Sequence, residues 1–490
     1  MPYISQRRKS SFIMSDKKIL DFVKGSIILI IANLVIKAIN FFLLPLYTKY
    51  LSPAELGISD SITNITAILL PILMMGMDSA FSAFYFDIRT EEHKRKVFNT
   101  TLAFLLIAGI IPFIIAIFSK GISIWLFNSD KNYLLVAISL ISISFNLWYT
   151  PYALHARMEN RMVLFAGINI SASLLMIISN IFFVSVMQLG AFSLIISSAI
   201  VQLYQLVIYL KLIPTNFKCK YYNKELLHSM LKFSLPIVPT AIAAWFLSLS
   251  DRYLILYFLS TSDVGIYGIA ARFSSVLSVV SSAVFTAYTS FAFDKKDDAD
   301  ARHQYKRILN FYYMTLMLLC IVITLCGKEI IGVMTNASYS TSHLILPGLL
   351  FGQVMYGVSV IIGYGLSFAK KTNYILLINI IGAMVNIILN IILIPVWGTQ
   401  AAAYTTYAGY FIMVILTYYF SQKFYKCDYD IRKVIISNLI IVIGIIVVNY
   451  YEISFNARIF LLFIEMAYIS ILYRKSFNDV IVIINRIIKK

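Results

Sequence analysis

The chain has 490 residues, of which 60% are hydrophobic and 13% charged, and its mean hydropathy is +0.82. An ordinary soluble domain is about 45–50% apolar and about 25% charged. This composition therefore excludes a soluble enzyme, a disordered chain and a coiled coil, and leaves a protein mostly dissolved in lipid. The net charge of +18 is then a question of membrane topology before it is one of nucleic acid.

A spanning helix needs about 20 mostly apolar residues. Fourteen segments qualify: 25–48, 56–79, 98–118, 133–153, 163–186, 190–210, 233–250, 264–291, 309–326, 344–368, 373–395, 400–420, 434–450 and 458–473. The fold class expected is an all-α integral membrane protein. Sorting Lys and Arg by the loops between these spans puts 33 on one side and six on the other (Lys49, Lys120, Lys131, Arg252, Lys328 and Arg458), with Lys37 and Arg272 inside spans. Basic loops stay in the cytoplasm, so both termini are expected there. The first apolar run is too long for a cleavable signal, and Met14 is as good a start as Met1. The end, from Val480, alternates Ile and Val with Asn485, Arg486, Lys489 and Lys490, a pattern for an amphipathic tail on the inner leaflet.

The sequence repeats itself. Ser52-Pro-Ala-Glu55-Leu-Gly57 matches Ser260-Thr-Ser-Asp263-Val-Gly265 at an offset of 208. Phe84-Tyr-Phe-Asp87 matches Phe291-Ala-Phe-Asp294, and Phe98-Asn99 matches Leu309-Asn310, at nearly the same offset. Spans 1–6 and 7–12 then read as two parallel copies, with spans 13–14 added. Such repeats imply a pseudo-twofold axis along the membrane normal and a substrate site near the midplane. The expected organisation is a cytoplasmic segment 1–24, a first six-helix lobe 25–213, a linker 214–232, a second lobe 233–421, two further spans in 422–475 and a tail 476–490.

Ionisable residues inside a span face the bundle interior or a wet cavity. Asn33, Lys37 and Asn40 share one face of span 1, with Lys37 too deep to snorkel out. It is either a cavity cation awaiting an anion or half of a salt bridge with Asp60, Asp78 or Asp251. Span 8 carries Arg272, which either binds in the cavity or snorkels to the outer interface. Two cations in one cavity suit a pyrophosphate, which Arg can grip bidentately. Asp60 and Asn64 lie one turn apart on span 2. Asn379, Asn386 and Asn390 stripe span 11, Asn169 and Asn180 lie on span 5, and Gln202, Tyr204 and Gln205 on span 6. These either meet sugar hydroxyls or glue helices together. Pro71, Pro236, Pro239 and Pro347 either permit hinge bends or make static kinks. Glu465, in mid-span 14, has no assigned role; it either pairs with Arg458 seven residues earlier or serves proton coupling. The chain has no P-loop and no paired-histidine motif, so neither ATP binding nor a metal or other cofactor is expected. The loops predicted to face outward are too short for a catalytic domain.

The stretches "YLSPAELGISDSI", "LLPILMMGMDSAFSAFYF" and "LLHSMLKFSLPIVPT", with the Asn/Lys-bearing first span, resemble oligosaccharide flippases. These form the polysaccharide-transporter branch of the multidrug/oligosaccharidyl-lipid/polysaccharide exporter superfamily. The resemblance implies a V-shaped pair of six-helix lobes around a cavity, with two C-terminal helices that form a lipid-tail groove in related flippases. It implies a non-enzymatic flippase in a bacterial inner membrane. Its substrate would be an undecaprenyl-pyrophosphate-linked oligosaccharide, an O-antigen or capsule repeat unit. A coupling ion (H+ or Na+), membrane lipid, a polysaccharide polymerase and a chain-length regulator would be its partners, and nucleic acid would not. Cavity cations on spans 1, 2 and 8 bind the pyrophosphate in that family. Lys37 and Arg272 fill two of these places, with Asn33, Asn40, Asn64 and Asp60 beside them; span 2 has no basic residue. The alternatives are a cation-coupled multidrug antiporter of the same superfamily and a membrane polysaccharide polymerase or ligase.

Overall fold

The computed structural model of the chain describes residues 43–476 other than 89, 160, 214–217, 296–299, 370 and 452. Among these residues the protein is helical, with no strand. In chain order the helices are α1 (Leu44–Tyr50), α2 (Pro53–Met74), α3 (Met77–Phe84), α4 (Glu91–Ala108), α5 (Ile111–Ile117), α6 (Ser119–Phe127), α7 (Tyr133–Met158), α8 (Met162–Asn180), α9 (Ala191–Leu212), α10 (Lys224–Ser234), α11 (Val238–Phe258), α12 (Thr261–Lys295), α13 (Ala301–Leu325), α14 (Gly327–Met334), α15 (Ser342–Phe368), α16 (Thr372–Trp397), α17 (Thr399–Phe424), α18 (Ile431–Tyr450) and α19 (Phe455–Leu472). The chemistry of the solvent explains this. Hydrocarbon offers backbone groups no partner, so each helix satisfies its own.

Ten helices among the described residues are long and apolar enough to cross a membrane. They coincide with ten of the expected spans. The expected spans at 233–250, 400–420 and 434–450 fall on α11, α17 and α18. The span at 25–48 lies almost wholly outside the described residues, as does the tail beyond 476. Large apolar side chains such as Ile117, Phe460, Phe463 and Ile471 stand outward, as lipid-facing positions require.

The chain forms two compact units, one of the described residues up to Leu46 with Ile62–Ile242, the other of Tyr47–Ser61 with the described residues from Ala243 onward. In the first unit, the span at 98–118 is broken at Gly109–Ile110, ahead of Pro112. The Trp148 indole on α7 donates to the Leu106 carbonyl at 3.2 Å beside this break. Gly109 leaves room for it: a methyl group there would lie 2.2 Å from the indole nitrogen.

In the second unit α15 is the central helix, with 78% of its spanning stretch buried. Its glycines let α17 approach closely. A methyl at Gly348 would lie 2.7 Å from the Ala403 carbonyl carbon, and one at Gly365 2.2 Å from the Ser421 hydroxyl. This is the small-residue packing that membrane helices use where no hydrophobic effect drives them together. Pro71 and Pro347 lie inside α2 and α15. Pro236 sits in a 3-10 turn (Leu235–Ile237) and Pro239 in the first turn of α11, where a missing N–H costs nothing. These two therefore lie where one helical segment passes into the next.

The matched segments at the starts of α2 and α12 have the same local construction. The Ser52 hydroxyl and backbone N–H both donate to the Glu55 carboxylate at 2.8 Å. The Ser260 hydroxyl donates to Asp263 at 2.6 Å, and the Asp263 N–H returns a bond to Ser260 at 3.2 Å. Each is a capping box that starts its helix. Within the second unit these two starts touch through Gly57 and Gly265. A methyl at Gly57 would lie 1.6 Å from the Thr261 carbonyl oxygen, and one at Gly265 2.0 Å from that of Pro53.

Candidate functional site

The glycine contact between α2 and α12 positions the first polar pair of the second unit. Two turns further along α12, Arg272 reaches Asp60 on α2 with both guanidinium nitrogens. Nη1 donates to Oδ2 at 3.1 Å and Nη2 to Oδ1 at 2.6 Å. Both side chains are largely withdrawn from the surface. Gly268 makes room for the pair, since a methyl there would meet the Asp60 carboxylate at 2.2 Å. The segment holding Asp60 is stitched to the same unit. Thr48 donates to the Met334 carbonyl at 3.1 Å, Asn336 donates to the Thr48 carbonyl, and Tyr339 donates to the Leu51 carbonyl at 2.9 Å. Arg272 therefore engages a carboxylate with both ends of its fork.

A second polar node lies deeper in the same unit. Asp251 on α11 is 2% exposed. Its carboxylate accepts from the Tyr267 hydroxyl at 2.8 Å, the Asn390 amide at 2.6 Å and the Thr406 hydroxyl at 2.6 Å. Asn386 donates to the Thr406 hydroxyl at 3.2 Å, Asn390 donates to the Asn386 amide oxygen at 3.3 Å, and Thr405 donates to Asn390. Four helices, α11, α12, α16 and α17, thus surround one carboxylate with neutral donors and hard oxygen atoms. The stripe of asparagines on span 11 signals one wall of this node. Its centre is not legible in the sequence, because the 139-residue spacing of Asp251 from Asn390 says nothing of their contact.

The remaining sequence candidates divide. Asn64 lies one turn after Asp60 on α2 and is half-buried. Lys37, Asn33 and Asn40 lie outside the described residues, so the cation expected on span 1 has no observed surroundings. On α8 and α9 the amides act as helix glue: Gln205 donates to Asn169 at 3.2 Å, and Tyr204 donates to Ser171 at 2.9 Å. Gln202 instead lines a cavity of about 170 Å³ in the first unit with Thr63, Thr66, Ser139, Ser142, Asn146 and Ser198. A cavity of about 290 Å³ in the second unit is lined by Tyr356, Ser359, Tyr364, Ser367, Asn379 and Thr417. Both present hydroxyls and amides within the bundle. Glu465 does not pair with Arg458. Arg458 bonds Glu329 and the Leu325 carbonyl, while Glu465 is buried beside Gly444 with one carboxylate oxygen unpartnered among the described residues. Glu329 lies in the first turn of α14, close in space to Arg458 but 129 residues away in sequence, so spacing along one helix does not point to it.

This is a polytopic helical membrane protein with a transporter fold. It resembles the lipid II flippase MurJ in its inward closed conformation at a TM-score of 0.71 and 19% identity, over 91% of this chain and 98% of that one. It resembles an inward-facing multidrug resistance MATE transporter of the MOP superfamily at a TM-score of 0.65 and 13% identity, over 80% and 97%. The model of the polysaccharide biosynthesis protein family matches residues 47–343, well over half the chain, and the chain belongs to that family. An uncharacterised membrane protein of Methanocaldococcus jannaschii is 22% identical over 430 residues, 82% of this chain and 83% of its own. A probable low-salt glycan biosynthesis flippase of Haloferax volcanii is 25% identical over 211 residues, 42% of this chain and 44% of its own.

Proposed function

We propose that the protein is a flippase for a lipid-linked oligosaccharide. It carries an undecaprenyl-pyrophosphate-linked repeat unit of O-antigen or capsular polysaccharide from the cytoplasmic to the outer leaflet of the inner membrane by alternating access. The observation that carries this reading is the family match laid on a transporter fold. The interior chemistry agrees with it. Hydroxyl- and amide-lined cavities suit sugar, and the guanidinium fork of Arg272 suits a phosphate. Lys37 would supply the second cation, with Asn33, Asn40 and Asn64 as sugar contacts and Asp60 as the counterion that releases Arg272. The two lobes, 25–213 and 233–421, rock about the substrate while the lipid tail stays in the bilayer. No covalent step is needed. Both termini lie in the cytoplasm, and a polymerase and chain-length regulator take the product.

The coupling ion binds at Asp251. The buried Asp251 carboxylate is held by three neutral donors, and the Asn386, Asn390, Thr405 and Thr406 oxygens beside it are hard ligands of the kind a small cation prefers. This node also favours the second reading, a cation-coupled multidrug antiporter. The two readings separate in inverted membrane vesicles loaded with lipid-linked oligosaccharide. The flippase reading expects wild type to move sugar to the lumen, and Lys37→Ala or Arg272→Ala to slow this at least about tenfold. Wild type that moves no sugar but expels a cationic dye brings the antiporter forward. Normal flipping by both variants leaves the flippase reading and removes this binding site.

A further inference from the structure

A cavity of about 740 Å³ opens at one end of the second unit, where α13 begins, α18 begins and α19 ends. Its wall carries Lys306, Arg307, Lys433, Arg474 and Lys475, against one carboxylate, Asp430. Asp430 is already engaged by Lys306 at 3.0 Å. Arg307 is also engaged, and Lys433, Arg474 and Lys475 keep the described wall of the cavity predominantly basic. The packing beneath it is fixed. The Tyr313 hydroxyl contacts the Val434 carbonyl at 3.1 Å and the Ser437 hydroxyl at 2.8 Å, and its ring lies 5.4 Å from that of Tyr473. Three helix ends thus bring basic residues to the wall of a site of ligand size.

The two copies of the repeat differ at one matched residue here. In the first unit, the matched residue Asn99 accepts the Lys218 backbone N–H at 2.8 Å, and Thr100 accepts that of Asn223 at 3.2 Å, so the chain after α9 folds over this end of α4. In the second unit, Asn310 lines the cavity, and its amide oxygen is buried without a hydrogen-bond partner among the described residues. Ile471 and Leu472 line the same cavity, and Ile471 is 73% exposed. The site thus combines cations, an unfilled acceptor and an apolar edge.

We propose that this cavity binds the headgroup of an anionic membrane phospholipid, its phosphate on the Lys433, Arg474 and Lys475 side chains and a headgroup hydroxyl on Asn310. Basic pockets between the cytoplasmic ends of membrane helices hold such lipids. The apolar edge at Ile471 distinguishes a lipid from a free phosphate. Residues 477–490, which follow, carry Arg486, Lys489 and Lys490 against a single Asp479, so charge disfavours that segment as the occupant. The inference does not depend on what the protein transports.

The test titrates delipidated full-length protein with phosphatidylglycerol, phosphatidylcholine, undecaprenyl pyrophosphate and inorganic phosphate, and counts bound lipid by native mass spectrometry. Phosphatidylglycerol is expected to bind at least tenfold more tightly than phosphatidylcholine. The Arg474→Gln, Lys475→Gln pair is expected to weaken it about 25-fold, at about fivefold per cation, while Lys423→Gln, Lys426→Gln elsewhere on the unit leaves it unchanged. The charge-keeping pair Arg474→Lys, Lys475→Arg is expected to retain binding, which separates lost charge from lost folding. Equal binding of the two phospholipids, an equal loss in the control pair, or wild-type binding by the Gln pair overturns the proposal. Displacement by millimolar inorganic phosphate means a free-phosphate site. Preference for undecaprenyl pyrophosphate through the same residues means a substrate site. Either result overturns the membrane-lipid assignment.

Discussion

Asp251 concentrates the electrostatic problem of the second unit in one residue. Its carboxylate accepts from Tyr267, Asn390 and Thr406, all of them neutral side chains. Asp251→Asn keeps the shape and removes the charge. Flipping driven by an imposed Na+ or proton gradient is expected to fall about tenfold in this variant, with gradient-independent exchange of substrate less affected. Unchanged gradient dependence would place the coupling site elsewhere. Glu159, in the loop between α7 and α8, is a different case. Burial works to raise its carboxyl pKa, but hydrogen bonds from Lys94 at 3.0 Å and the Tyr85 hydroxyl at 2.8 Å outweigh this and hold it below the ordinary 4.5. A depressed folded-state pKa contributes stability that is present above the unfolded value and lost as pH falls through the folded one. Amide exchange around Tyr85 is therefore expected to quicken only below about pH 4.5. Glu159→Gln should remove that acid transition. A transition that survives in the variant belongs to another group.

At the scale of elements, close helix approach sets the candidate site. Gly57 and Gly265 bring the starts of α2 and α12 into backbone contact, and Gly268 admits the Asp60–Arg272 pair behind them. Gly265→Ala is expected to cost about 2–3 kcal/mol, since overpacking against backbone leaves nothing flexible to yield. Gly332→Ala, where a methyl meets nothing within 4 Å, should cost little. Comparing their melting temperatures in detergent checks this, and equal values would mean that the crossing is loose. The repeat motif announced these elements but not their purpose. Ser-x-x-Glu and Ser-x-x-Asp are legible as helix starts. That the following glycines meet each other became visible only when the helices were packed.

For the whole molecule, the 33-to-six division of basic residues is the quantity to test. Single cysteines at Lys220 and Lys423 should react with an impermeant maleimide only from the cytoplasmic side. One at Asp130, across the span 133–153 from Arg157, should react only from outside. The opposite labelling would invert the topology and move the Lys306–Lys475 cavity to the outer face. The apolar exterior and the polar pockets within each unit have one cause. Hydrocarbon replaces water as the outer solvent, so polarity survives only where protein or a wet cavity satisfies it.

The sequence by itself determined the fold class, the positions of ten spans and the family resemblance. These depend on hydropathy and local capping, which act over one or two helix turns. Tertiary structure decided the pairing of the charges. Arg272 finds Asp60 from 212 residues away, Arg458 finds Glu329 and not Glu465, and Asp251 gathers ligands from three other helices. An ion pair between helices depends on which faces touch and how closely, and small residues such as Gly57, Gly265 and Gly268 control that spacing. Their effect is felt only across a contact, so periodicity within a single helix could not reveal it.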